Sequence, residues 1–142
     1  MIGINTAYAS QGNNVGFAIP ISSVKGIIKS VLSNKGFERA VIGVRYVNLT
    51  PTIAKEKNLS ATRGALIASS KNSQAVIPGS AGEKAGLKEN DIITAVNGIE
   101  IGKSGSLSSL IGEYSVGDTV KITVVRNNKT ETLELTLSDY KQ

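Results

Sequence analysis

The sequence predicts a mixed α/β chain, and three patterns predict it. Short apolar runs such as Gly64–Ser69 and Asp91–Val96 are bounded by turn residues, as buried strands are. Two other stretches carry apolar residues at the helical spacing i, i+3, i+4, i+7: Val24, Ile27, Ile28, Val31 and Leu32, and then Leu107, Leu110, Ile111 and Tyr114. Near the end, Val120, Ile122 and Val124 alternate with polar residues and are answered by Leu133, Leu135 and Leu137 across Asn127-Asn128, the pattern of a hairpin with one buried face.

Taken in order, Met1–Tyr8 reads as a strand, Ser10–Asn14 as a turn-rich loop and Val15–Pro20 as a second strand. A helix is expected from Ser22 or Ser23, with Ile21 as a staple and Asn34-Lys35-Gly36 as its end. Its five-residue apolar stripe needs a surface to pack on, so burial within the chain or in a dimer is expected. Phe37–Arg39 is a joint. Ala40–Val47 reads as a strand with a glycine near its start. Thr50-Pro51 pairs a cap with proline at the first helical position, giving a short helix Pro51–Asn58. After the strand Gly64–Ser69, Ser70–Gln74 is a polar loop and Ala75–Ile77 resumes the extended chain. Ser80 caps a short helix that Gly86 ends, with Leu87 as the accompanying hydrophobic contact. Lys88-Glu89-Asn90 turns into the strand Asp91–Val96, and Asn97-Gly98 turns again toward Ile99. Ser104 or Ser106 caps the second amphipathic helix, Gly117-Asp118 opens the final hairpin, and Ser138–Gln142 is expected to fray.

Composition excludes several functions. At 142 residues the chain can hold one good core, or one domain and a fragment. Hydrophobic residues make up 40% and aromatic residues only 4%, which suits a small aliphatic core better than an aromatic platform for bases. With no Cys and no His, disulfides, thiolate chemistry, the usual zinc sites and any imidazole base are excluded. No carboxylate pair suggests acid–base work or Mg²⁺ binding, and no flanking motif singles out a Ser-Lys dyad. Neither a metal nor a cofactor is expected. The net charge of +5 is dispersed: residues 1–36 carry Lys25, Lys29 and Lys35 with no acid, and elsewhere the two signs are interspersed. No basic stripe forms, so no nucleic-acid partner is expected. No apolar run approaches the roughly 20 residues of a membrane span, and no targeting segment opens the chain.

The stretch Ser80–Ile101, SAGEKAGLKENDIITAVNGIEI, resembles the signature SPA-x-x-AGL-x-x-GD-x-I-x-x-VNG-x-x-I of bacterial PDZ domains, above all those of the HtrA/Deg serine proteases. Two departures stand out. Gly82 replaces a usual alanine after a Ser-Pro pair that here is only Ser80-Ala81, and Asn90 replaces a usual glycine, although asparagine tolerates the positive φ that such a turn needs. Upstream, Gly3-Ile4-Asn5-Thr6-Ala7 and Gly16-Phe17-Ala18-Ile19-Pro20 resemble the GINTA…GFAIP segment that ends the protease domain in that family.

The resemblance implies a PDZ-like, partly open β-barrel with two to three helices over 37–142. It implies that 1–36 is a strand-strand-helix remnant of a trypsin-like β-barrel domain, in a chain cut just after the nucleophile. Val41-Ile42-Gly43-Val44 is similar to the family's carboxylate-binding loop, whose backbone N–H groups hold a peptide C-terminus; successive N–H groups in a turn form such an anion nest. The resemblance thus implies a peptide lying antiparallel along Val44–Val47, with contacts from Val41, Ile42, Gly43, Val44, Arg45 and Tyr46. Its carboxylate would sit on the N–H groups of Val41–Gly43, and its last side chain between Ile42 and Leu107, Leu110 or Ile111 of the helix.

The expected function is recognition of protein C-termini or extended apolar segments by strand addition, as the substrate-binding or regulatory part of an HtrA-like serine endopeptidase. The parent would be extracytoplasmic, periplasmic or membrane-anchored. The chain itself is expected to be no enzyme, with no catalytic residue, to insert into no membrane, and to have residues 22–36 available for homo-oligomer formation. A stand-alone PDZ scaffold or adaptor is the alternative.

Overall fold

Aliphatic runs between turn residues fold into short antiparallel strands. The computed structural model describes residues 3–8, 16–33, 36–69 and 73–139. The strands β1 (Gly3–Tyr8) and β2 (Gly16–Pro20) pair with each other as a separate two-stranded sheet. A 3-10 turn at Ile21–Val24 leads into α1 (Lys25–Leu32). There follow β3 (Ala40–Val41), β4 (Tyr46–Leu49), α2 (Pro51–Glu56), β5 (Gly64–Ile67), α3 (Ala81–Lys84), β6 (Ile92–Val96) and β7 (Ile99–Glu100). The chain ends with α4 (Leu107–Ile111), β8 (Thr119–Arg126), β9 (Lys129–Thr136) and β10 (Ser138–Asp139). The main sheet runs β4-β5-β6-β8-β9 with β7 on β6, while β3 and β10 form a second pair. This is the expected mixed α/β architecture, open rather than closed, with β4 an outer strand.

Both faces of that sheet are covered, so β5 is apolar throughout instead of alternating. Ala65, Ile67, Ile93, Val96, Val120, Ile122 and Val124 point into the main core with Leu107, Leu110 and Ile111 of α4. Leu66 and Ile92 point the other way, onto Leu49, Ile53 and Ala54 around α2. Helix starts follow their caps: the side chains of Thr50, Ser80 and Ser106 accept the N–H of Ile53, Glu83 and Ser109. Asn90 has φ 70°, so it occupies the left-handed turn position expected of it.

Several expectations are corrected. Ala40–Val47 is two strands, because the carbonyls of Ile42 and Gly43 are drawn inward by the N–H groups of Gly82 and Ile77 and Gly43 turns with φ 79°. Helix Pro51–Asn58 stops at Glu56, and Asn58 takes φ 51°. Tyr114 lies beyond the end of α4. Val120 and Ile122 face Leu135 and Leu133, but Val124 faces Glu131 and Leu137 lies past the hairpin ladder. Ser138 and Asp139 do not fray; they pair with Val41 and Ala40. No serine side chain caps α1; Pro20 precedes the 3-10 turn, and Ser23 donates to its carbonyl.

Of the two burials expected of its stripe, α1 does not complete the one within the chain. Its buried residues are Gly26 and Ser30, whereas Ile28, Val31 and Leu32 are exposed and Val24 and Ile27 half-buried. The helix docks by its small residues because they let two backbones touch. The loop Ser10–Asn14, the helix end at Asn34-Lys35, the loop residues Ser70–Asn72 and the tail after Asp139 lie outside the described residues.

Candidate functional site

The outer edge of β4 and the start of α4 border a groove whose polar groups are mostly backbone, with the Tyr46 and Ser108 hydroxyls beside them. Arg45 donates its N–H to Ala75 O at 2.7 Å and accepts the Ala68 N–H at 3.1 Å, so its peptide groups point toward the sheet. By the alternation of a strand, Val44, Tyr46 and Asn48 turn theirs outward, where no strand lies among the described residues. A peptide can add itself there.

At the head of this edge the chain turns at Gly43. Ile42 O accepts the Gly82 N–H at 2.7 Å, and Gly43 O accepts the Ile77 N–H at 2.9 Å and the Ser80 hydroxyl at 3.2 Å. A trans peptide unit sets C=O and N–H in opposite directions. Three bonds that hold two carbonyls inward therefore aim the N–H groups of Gly43 and Val44 outward, and neither has a partner among the described residues. Gly43 is required twice: its φ is 79°, and a Cβ there would overlap the Ser80 side chain. Gly82, the departure from the family signature, has a similar cause. A Cβ on it would come within 2.9 Å of Val44 Cγ1 and 3.1 Å of Ile42 O.

The outward N–H groups border a cavity of about 160 Å³. Its walls are the turn Val41–Val44, Tyr46, and Leu107, Ser108 and Ile111 on α4, with Arg39 at the rim. The volume is close to the roughly 150 Å³ of an apolar cavity that takes up benzene, so it suits one aliphatic or aromatic side chain. The Tyr46 hydroxyl meets Ser108 Oγ at 2.5 Å and accepts the Ser108 N–H at 3.3 Å, spanning from strand to helix at the cavity's border.

Of the residues singled out from sequence, Val41, Ile42, Gly43, Val44, Tyr46, Leu107 and Ile111 come together around this cavity. Leu110 does not line it; it is 4% exposed and packs in the main core. Arg45 also stands outside, with an exposed side chain and a backbone committed to the sheet. The outward N–H groups are those of Gly43 and Val44, so the set is centred C-terminal to the expected Val41–Gly43. Sequence reasoning missed Ser108, Ile77 and Tyr114, which line the cavity, and Ser80, which holds the turn from beneath. It also missed Ser23 and Ile27. The only signal for these two was a pair of glycines, Gly26 and Gly112, set in helical stretches where glycine is costly.

Residues 40–137 match the PDZ domain family. Over 138 residues the chain is 36% identical to a probable periplasmic serine endoprotease, DegP-like, of Rhizobium meliloti (strain 1021), covering 95% of this chain and 26% of that protein. Over 140 residues it is 34% identical to the periplasmic pH-dependent serine endoprotease DegQ of Escherichia coli (strain K12), covering 96% of this chain and 30% of the other. The chain thus spans between about a quarter and a third of the length of these relatives. In fold it is similar to the HtrA-type protease AlgW solved with a decapeptide, with a TM-score of 0.66 and 24% identity over 100% of this chain and 43% of that one.

Proposed function

The chain belongs to the PDZ domain family, and from that premise we propose that it binds the carboxyl end of a peptide or unfolded protein by strand addition. The observation that carries this is the pair of inward-held carbonyls at Ile42 and Gly43, which leaves two N–H groups facing a side-chain-sized cavity beside an unpaired strand edge. The ligand carboxylate sits on the N–H groups of Gly43 and Val44, with Arg39 adding positive charge at the rim. The terminal side chain enters between Ile42, Leu107 and Ile111. The peptide backbone pairs with Val44 and Tyr46. Main-chain bonds make affinity tolerant of sequence, and the single cavity sets a preference for an apolar terminal residue.

Within a longer protein we propose that this module presents or senses substrates for an HtrA-like serine endopeptidase outside the cytoplasm. The relatives' names support that reading, as does the exposure of Ile4, Phe17 and Ile19 on the β1–β2 hairpin, an apolar surface suited to the body of a protease domain. Residues 1–36 would then be the end of that domain and 37–142 the PDZ domain. The chain as it stands performs no triad hydrolysis, having no histidine.

Titration of the chain with a C-terminal peptide library, each member as free acid and as amide, tests the binding mode. Amidation is expected to weaken the best ligands by roughly tenfold to a hundredfold, the worth of a charge-assisted hydrogen bond. Gly43→Val should abolish binding by closing the turn. Equal affinity of acids and amides would show that the turn is no carboxylate site.

A further inference from the structure

The cavity at the head of the groove is not built wholly within the matched domain. Residues 40–137 supply most of its wall, but Ser23 and Ile27 line it too, from the 3-10 turn and from α1. We propose that Ile27 is a specificity-determining residue of the peptide site, so that α1 sets which terminal side chain is accepted. The inference rests on the peptide-binding reading above.

Ile27 is fixed where it stands by an unusual joint. The Gly26 N–H donates to Gly112 O at 3.0 Å, a direct backbone bond between α1 and the residue that ends α4. A Cβ on Gly26 would overlap the Tyr114 carbonyl, and a Cβ on Gly112 would overlap the Ser23 carbonyl. Each glycine therefore admits the other segment's backbone, and neither side tolerates even a methyl group. Ile27 is the next residue after Gly26, so its side chain is placed relative to α4 by main-chain geometry rather than by a flexible contact. Ser30, one turn on, is buried at 4% exposure and donates its hydroxyl toward Glu38 at 3.4 Å, holding the same face. The Ser23 hydroxyl is engaged with Pro20 O at 2.7 Å, which leaves Ile27 as the apolar part of this wall.

A wall of this kind acts by size. With Ile42, Leu107 and Ile111 held in the core, Ile27 is the half-buried aliphatic side chain that comes from outside the domain. Trimming it should deepen the cavity and enlarging it should make the cavity shallower, leaving the N–H groups of Gly43 and Val44 untouched. Ile28 points to solvent and does not line the cavity, which makes it the control.

The test is titration of the full chain with three peptides identical except for a terminal Val, Leu or Phe, each as acid and as amide. Four proteins are compared: wild type, Ile27→Ala, Ile27→Phe and Ile28→Ala, with Ile27→Val held as a milder change should Ile27→Ala fail to fold. Ile27→Ala should shift the Phe-to-Val affinity ratio toward Phe by about fourfold or more, the worth of one buried methylene. Ile27→Phe should shift it toward Val, and Ile28→Ala should leave it unchanged. If acids bind better than amides in all four proteins but the ratio is the same throughout, α1 is no part of the recognition surface and the inference is wrong. Should wild type bind acids and amides alike, the peptide reading itself fails and takes this inference with it.

Discussion

Among the described residues Asp91 is the most enclosed charge, 1% exposed, and three donors answer it. Arg126 reaches it with two nitrogens, Nε to Oδ1 and Nη2 to Oδ2, each at 2.7 Å, while the Lys88 N–H donates at 2.8 Å. The same Nη2 also donates to Gly86 O at 2.7 Å, so one guanidinium ties the end of β8 to the turn after α3. The hydrogen bonds that Arg126 donates to Asp91, opposed by burial, raise the Arg126 pKa above its ordinary value. Arg126→Ala strands a buried carboxylate and is expected to cost about 3 kcal/mol in denaturant unfolding. Glu89 offers a milder case at the surface. The Ser69 hydroxyl and N–H both donate to it and hold its carboxyl below the ordinary 4.5. A depressed carboxyl contributes while it is ionised and loses that contribution as pH falls through its folded value. The Ser69 amide shift in NMR should therefore titrate with a midpoint under 4.5. Neither partnership was legible in the sequence, since Arg126 lies 35 residues from Asp91 and Glu89 lies 20 from Ser69, and only the folded chain brings each pair together.

Elements with local causes were readable. The caps at Thr50, Ser80 and Ser106 and the left-handed Asn90 each follow from a side chain and its near neighbours. Elements decided by distant partners were not. The break in Ala40–Val47 comes from carbonyls captured by Ile77, Ser80 and Gly82, and β10 exists because β3 is there to receive it. Docking of α1 inverts the usual rule for an amphipathic helix, since Gly26 and Ser30 go in, Val24 and Ile27 stand half-buried, and Ile28, Val31 and Leu32 stay out. Gly26→Ala should therefore undock α1 without unfolding the sheet. Amides of residues 25–32 would exchange markedly faster while those of β6 and β8 keep their protection, as hydrogen exchange read by NMR would show. Loss of protection in every strand alike would mean that the joint is integral to the core.

At the scale of the molecule, the two-faced sheet explains why apolar runs at β5 and β6 read as fully buried: one face meets the main core and the other the small cluster around α2, with Leu49, Leu66, Ile92 and Val125. The strands β5 to β9 were foreseeable because each sits between strong turn signals. The cavity was only half foreseeable. Its turn and the facing helix carry recognisable residues, but which side of α4 faces the groove depends on the direction of approach of β4, and that put Leu110 in the core and Ser108 at the rim.

The pairing of β10 with β3 has a mechanical consequence. The two strands share two paired positions, whereas β8 and β9 share eight. Tension drawn through Asp139 falls first on the weak pair, and Val41, at its end, leads straight into the turn at Gly43. Pulling would therefore slacken the head of the groove long before it reached the core, and the module would behave as a fuse under load. In a single-molecule pulling measurement, a terminal-acid peptide at saturation should raise the force of the first, small opening and leave that of the main rupture where it was.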